Sequence, residues 1–234
     1  MLDDNAMMNL DYSSSLEDVW RILSKRERTI LRENAKVVNF SKNEVIYSVL
    51  EQPTHLMCLL KGSVKISIDG VGGRSQIIRI IRPVQYFGYR ASFAAEAYRT
   101  SAAAFENSQV AMVPMNVIID LIRANSNLAL FFIKQLSIDL GISDERIVSL
   151  TQKHIRGRLA ESILFLKDTH GLEEDGATLS IYLAREDLAN LSNMTTSNAI
   201  RTLSTFVSEK LIAIDGRKVK IIDEEQLHRI SKLG

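Results

Sequence analysis

The hydrophobic pattern changes texture along the chain. In LEDVWRILSKRERTILREN, residues 16–34, Leu16, Val19, Trp20, Leu23, Ile30 and Leu31 fall near helical spacing and predict an N-terminal helix. From Lys36 to about Pro114 the segments are short and alternate or run apolar: EVIYSVL, THLMCLL, SVKISI, SQIIRIIRP and SQVAMVP. EQPT, KGS and DGVGG separate them, which predicts an antiparallel all-β roll or sandwich. DGVGG reads as a hairpin loop. A phosphate-cradling loop would need a following Lys and Ser/Thr and then a helix, whereas a strand pattern follows here.

Residues 115–150 contain no proline and one glycine, Gly141. Ile118, Leu121, Ile122, Leu128, Phe131, Phe132, Gln135, Leu136 and Ile142 form a broad stripe, predicting one helix of more than 30 residues or two in sequence. Thirty helical residues reach roughly 45 Å, longer than a small domain is wide. Such a helix forms a parallel dimer seam or the core of a larger domain. The last third predicts a helix at about 153–169, an acidic turn THGLEEDG and a short strand ATLSIY. Two short helices follow, then LIAIDGRKVKIID as a hairpin around Asp215-Gly216, then a closing helix EEQLHRISKL. Helix, strand, helix-turn-helix and hairpin is the element order of a winged helix.

Bulk composition narrows the classes. The chain has 234 residues, 46% apolar and 24% charged, which is ordinary for a globular protein. The longest apolar runs, such as LALFFI, fall far short of the roughly 18–20 residues that span a bilayer, so no membrane partner is expected. The acidic, polar start MLDDNAMMNLDYSSS has no signal-peptide character, and a cytoplasmic location is the expectation. Cys58 is the single cysteine, so neither an internal disulfide nor a cysteine-held iron–sulfur cluster is available within one chain. In LMCLL it reads as a buried structural thiol. Net charge is only +1, and residues 151–234 balance 12 basic against 12 acidic residues. Any electrostatic footprint for DNA is therefore local.

The stretch REDLANLSNMTTSNAIRTLSTF, Arg185 to Phe206, supplies that local signal. Leu188 and Leu191 lie three apart on a first helix. Ser192-Asn193 forms the turn, where Asn tolerates the left-handed conformation. Thr195 is placed to cap a second helix through its hydroxyl. Met194, Ala199, Leu203 and Phe206 or Val207 then face inward, while Thr196, Ser197 and Arg201 fall on the opposite face. Arg201 offers the two parallel donors that read guanine O6 and N7. Arg185, Thr195 and Thr196 suit phosphate contacts, and Arg217, Lys218 and Lys220 crowd three cations into the hairpin. The alternative is a structural helical hairpin with an ordinary solvated face.

Four segments in order resemble the cyclic AMP receptor / fumarate-nitrate regulator (CRP/FNR) family of bacterial transcription factors. They are KGSVKI (Lys61 to Ile66), YFGYRASF followed by YRTSAAA, GRLAESIL (Gly157 to Leu164) and REDLANLSNMTTSNAIRTL. The resemblance implies an α+β protein: an N-terminal double-stranded β-helix (a cupin-like, cyclic-nucleotide-binding-like roll), a long dimerisation helix and a C-terminal winged helix-turn-helix. It places the sensing domain at residues 1–114, the dimerisation helix at 115–152 and the DNA-binding domain at 153–234. It implies a homodimer on a palindromic site in double-stranded DNA, with Arg185, Thr195, Thr196, Ser197, Arg201 and Lys218 as the DNA-contacting set. It places effector contacts at Gly88, Tyr89, Arg90, Arg99, Thr100 and Ser143. It also puts the acidic turn Glu173 to Gly176 where relatives touch RNA polymerase, a plain exposed loop being the other reading.

The departures from the family are specific. Tyr89 stands where cyclic-AMP-binding members carry the ribose-holding glutamate, Val84 follows Pro83 where they carry a glycine, and Asp144 neighbours Ser143 on the dimer helix. These point to a small anionic effector other than cyclic AMP, or to none. Haem is a further alternative, but His55, Met57 and Cys58 cannot all converge from one strand. Ser197 stands where many members carry a glutamate, so the preferred half-site is expected to differ from the usual family box. In such a regulator, effector binding near Gly88, Arg99 and Thr100 reaches the helix around Ser143 and then the segment from Thr151 to His154, setting the spacing of the recognition helices.

Two other classes are weighed against a regulator. The sequence carries no nucleophile elbow, HExxH pair, phosphate loop or paired histidine–carboxylate motif, so an enzyme is not expected. A scaffold that uses the winged helix to bind protein would lack the steep salt dependence of phosphate binding.

Overall fold

Ser24 interrupts the N-terminal helix that the periodicity predicts. A computed structural model describes residue 19 and residues 21–70 and 73–233; the predicted contributions of Leu16 and Trp20 and the tip of the DGVGG loop lie outside these. Ser24 caps α1 (Lys25–Asn34) in a capping box, its hydroxyl accepting from Glu27 N–H while the Glu27 carboxylate accepts from Ser24 N–H. This arrangement holds the Glu27 carboxyl below its usual range, the hydrogen bond from the Ser24 backbone being the largest cause. Val19 and Leu23 precede the cap and are buried.

The β region forms two four-stranded sheets. One has the order β1 (Lys36–Phe40), β8 (Ser108–Pro114), β3 (His55–Lys61), β6 (Tyr86–Phe87). The other runs β2 (Val45–Tyr47), β7 (Ser101–Ala104), β4 (Val64–Asp69), β5 (Ser75–Ile81). The pairs of β1, β3 and β6 within the first sheet are antiparallel, as is β2 with β7 in the second. At the β3–β4 turn Gly62 adopts φ +90°, and a Cβ there would lie 2.5 Å from both Asn107 O and Ser108 Oγ. Glycine is thus required on two counts, backbone sign and space. Ser108 Oγ accepts from Ser63 N–H at 3.2 Å and donates to Ser63 O at 2.9 Å, closing the turn onto β8. Val84, which the resemblance sets at a glycine position, has a left-handed backbone (φ +71°), an uncommon state for a β-branched residue.

Residues 115–152 form two helices in sequence, the second of the two readings the pattern allows: α3 (Met115–Ala124) and α4 (Ser126–Gln152). Asn125 makes the break with an extended backbone, and its side chain donates to Ile22 O and to the Glu27 carboxylate, both at 3.2 Å. The chain divides into two units by contact. The first takes the described residues up to Ile66 with Arg79–Asp139, and the second takes Ser67–Ile78 with Leu140–Gly234. The first is built on a core that includes Val19, Leu56, Val113, Ile118, Leu121, Leu128, Phe131 and Phe132.

The second unit contains α5 (Ile155–His170), α6 (Arg185–Leu191), α7 (Thr196–Ser208), a hairpin of β9 (Ile212–Asp215) and β10 (Lys218–Ile221), and α8 (Glu224–Leu233). Its fully buried side chains include Leu159, Ile163, Leu166, Leu203, Phe206 and Leu227. Two expectations are corrected here. ATLSIY forms no extended strand; it contributes isolated bridges, Leu172 to Leu179 and Thr178 to Lys220. The hairpin loop is Gly216-Arg217 rather than Asp215-Gly216, because Asp215 pairs with Lys218 in register. Gly216 takes the positive φ of +54° that the tight loop requires.

Candidate DNA-reading face and effector cradle

The turn between α6 and α7 is built from the residues its sequence suggests. Asn193 has φ +50°, and Thr195 Oγ1 accepts from Asn198 N–H at 3.2 Å as the N-cap of α7. Met194, Ala199, Leu203 and Phe206 are buried, and this inward face fixes the rotation of α7. Thr195, Thr196, Ser197, Ile200 and Arg201 therefore lie exposed on the other side. Ser197 and Arg201 stand one turn apart on that face, and among the described residues the Arg201 guanidinium makes no intramolecular hydrogen bond.

Two arginines outside the predicted set lock the turn. Arg158 donates to Ser192 O and Asn193 O, both at 3.1 Å, and Arg146 donates to Leu191 O at 2.9 Å. These carbonyls end α6, where cations complement the helix dipole. Burial lowers the pKa of both guanidinium groups without discharging them.

The hairpin cations are less available than their count implies. Lys218 Nζ lies 3.2 and 3.3 Å from the two carboxylate oxygens of Glu173, and Lys220 Nζ lies 3.2 Å from Asp175. Arg185 donates to Gly216 O at 2.7 Å, tying the start of α6 to the hairpin tip.

In the first unit, Gly88 (φ +82°) precedes the short helix α2 (Tyr89–Phe93). A Cβ at Gly88 would meet Tyr98 Oη at 3.3 Å and His55 O at 3.4 Å. Arg90 and Arg99 are brought together through a residue sequence reasoning missed: Glu96 lies 3.0 Å from Arg90 and 2.7 Å from Arg99. Thr100 Oγ1 lies 3.4 Å from Tyr47 Oη, and the Tyr47 and Tyr98 rings stack at 3.8 Å. Burial pushes both phenols above their usual range. The Tyr98 hydroxyl is buried without a hydrogen-bond partner among the described residues. Tyr89 does not join this group: its ring is buried against Phe93 and Phe132, and burial pushes its hydroxyl up to about 12. Ser143 is exposed on α4, in the second unit.

Residues 37–125 match the cyclic nucleotide-binding domain family, and residues 157–230 match the Crp-like helix-turn-helix domain family. The chain belongs to the CRP/FNR family of transcription regulators. Among its relatives is the CRP-like cAMP-activated global transcriptional regulator of Mycobacterium tuberculosis, 22% identical over 85% of this chain and 89% of that protein. Its fold is shared with FixK2 from Bradyrhizobium japonicum (TM-score 0.73, 19% identity, 84% of this chain and 96% of that one). It is shared also with a CRP/FNR-family transcriptional regulator from Thermus thermophilus (TM-score 0.71, 23% identity, 84% and 98%). CRP/FNR proteins are regulators that bind DNA through the helix-turn-helix, and no single described helix here is long and apolar enough to cross a membrane.

Tyr89, which the resemblance sets where cyclic-AMP-binding members carry their ribose-holding glutamate, has its ring in the core, and Arg99 faces Glu96. Cys58 is buried, and burial pushes its thiol up to about 12.

Proposed function

We propose that the protein is a homodimeric transcription regulator that reads a two-fold-symmetric promoter site through α7, with a small anionic effector other than cyclic AMP acting on the roll. The exposed row of Thr196, Ser197 and Arg201, fixed by the buried Ala199, Leu203 and Phe206, carries the DNA-reading part. Arg201 reads one guanine per half-site, and Thr195, Thr196 and Arg185 set register on phosphates. Ser197 donates or accepts in place of a carboxylate, so the neighbouring position is read with less discrimination.

The dimer reading is supported by α4. Leu130, Ile133, Leu140 and Ile147 are 57–63% exposed along one helix, an apolar surface that a partner helix would cover. A two-fold dimer would place its recognition helices about 34 Å apart, one turn of DNA. The effector reading is supported by Arg90 and Arg99 meeting at Glu96 and by the orphan hydroxyl of Tyr98, the chain neighbour of Arg99. RNA polymerase contact at Glu173 to Gly176 and action in the cytoplasm complete the reading.

Binding-site selection with the purified full chain tests it. A symmetric site with one invariant guanine per half-site is expected, and Arg201→Ala should cost roughly 1–3 kcal/mol of discrimination at that position alone. Binding without sequence preference and with a flat salt response would favour a protein-binding scaffold.

A further inference from the structure

The carboxylates beside the wing lysines are held there by the fold. The segment carrying Glu173 and Asp175 is stitched along β10: Leu179 N–H donates to Val219 O and Ile221 N–H donates to Ala177 O, each at 2.9 Å. The Thr178 to Lys220 bridge lies between these bonds. Asp175 is fixed further, accepting from Ala177 N–H at 3.0 Å and from Thr178 N–H and Thr178 Oγ1 at 2.8 Å. These bonds hold its carboxyl well below the usual range, so it stays ionised beside Lys220. Glu173 accepts from the Tyr182 hydroxyl, and the Tyr182 ring centroid lies 5.0 Å from Lys218 Nζ. Lys218 is thus met by a carboxylate and an aromatic face together.

We propose that Glu173 and Asp175 are specificity determinants of the DNA-binding domain: they hold Lys218 and Lys220 from DNA phosphate, so that sequence-independent affinity is suppressed and discrimination falls to α7. The inference rests on the DNA-binding reading of this domain. Phosphate contacts made by lysine attract any sequence equally and dominate non-specific binding. Each such contact steepens the dependence of log affinity on log salt by about 0.9. One lysine withheld therefore removes about 3.5-fold of the affinity change between 50 and 200 mM salt. A protein that competes against a genome of non-specific sites gains specificity from that loss.

The test is a fluorescence-anisotropy titration of the full chain on a random-sequence duplex and on the selected site, from 50 to 200 mM salt. Glu173→Gln should tighten random-duplex binding severalfold at 50 mM, steepen the salt slope by about 0.9, and lower the ratio of selected-site to random-site affinity. The gain should vanish when Lys218→Met is added, a cycle that assigns it to this pair. Tyr182→Phe removes the hydroxyl bond to Glu173 but leaves both charges, and should match wild type. An unchanged or weaker random-site affinity in Glu173→Gln, a gain that survives loss of Lys218, or the same gain in Tyr182→Phe overturns the proposal. Wild-type protein that binds neither duplex refutes the DNA reading and this inference with it, whereas wild-type binding without the Glu173→Gln gain refutes the inference alone.

Discussion

Glu96 pairs with both arginines of the proposed effector cradle, and its removal should change how tightly a small anion binds. The carboxylate lies 3.0 Å from the Arg90 guanidinium and 2.7 Å from that of Arg99. Glu96 itself is largely covered, with 24% of its side chain exposed, but Arg90 and Arg99 are 55% and 73% exposed. Solvent therefore screens both pairs, and each is worth about 0.2–1 kcal/mol rather than a buried-pair value. Together they oppose an incoming anion by about 0.4–2 kcal/mol, which corresponds to a roughly 2- to 30-fold weakening of apparent affinity. Glu96→Gln keeps the side-chain shape and removes the charge. Isothermal titration of orthophosphate and of cyclic AMP against the wild type, Glu96→Gln and the Glu96→Gln, Arg99→Ala double variant separates the contributions. Phosphate should bind Glu96→Gln 2- to 30-fold more tightly than wild type, and the gain should disappear in the double variant. Cyclic AMP should gain less than phosphate, because no carboxylate replaces the ribose-holding group at Tyr89. Equal phosphate binding by wild type and Glu96→Gln would refute the idea that Glu96 competes for the site. A gain that persists without Arg99 would place the anion elsewhere.

Two further outcomes follow from the roll. Gly62→Ala should destabilise it by more than the roughly 1–2 kcal/mol that a left-handed residue alone costs, because the new Cβ would lie 2.5 Å from Asn107 O and Ser108 Oγ. Gly73→Ala, at φ +72° with open space around it, should cost only the backbone part, and thermal unfolding followed by circular dichroism checks the difference. Equal midpoints for the two variants would contradict the packing argument. Cys58, buried and with its thiol pushed up to about 12, should react with iodoacetamide at pH 8 far more slowly in the native protein than in denaturant. Rapid native labelling, read by mass spectrometry, would show that the β3 interior opens readily.

Local signals made much of this architecture legible. The left-handed turn at Asn193, the cap at Thr195 and the buried face of α7 each depend on residues within one or two helical turns of one another, and spacing alone placed them. The strands of the roll were legible for the same reason. What sequence missed depends on contacts that spacing does not encode. Two helices were allowed by the pattern, but their break at Asn125 was not placed, because Asn125 donates to Ile22 and Glu27, residues about a hundred positions away. Tyr89 looked like a cradle residue because Gly88 precedes it, yet its aromatic ring is better satisfied against Phe93 and Phe132. ATLSIY has the composition of a strand, but it lies beside β10 through scattered backbone bonds rather than a continuous ladder. Glu96 sits in an irregular segment, where its approach to Arg90, six residues away, follows from no helical or strand period.

The distribution of charge joins these observations. The chain's net charge of +1 says nothing of function, because basic groups at both proposed sites are met by internal carboxylates. Glu96 meets Arg90 and Arg99, Glu173 meets Lys218, and Asp175 meets Lys220, all within 3.3 Å. Arg201 differs: it projects from α7 with no intramolecular hydrogen bond among the described residues. A guanidinium held ready in this way loses little on meeting guanine, whereas the paired lysines must give up a carboxylate to meet a phosphate. The balance of affinity is thereby moved from the DNA backbone, which is the same everywhere, to the base edges, which are not. In this chain the carboxylates that meet these cations, more than the total of the cations, decide which positive charges a ligand or a duplex can use.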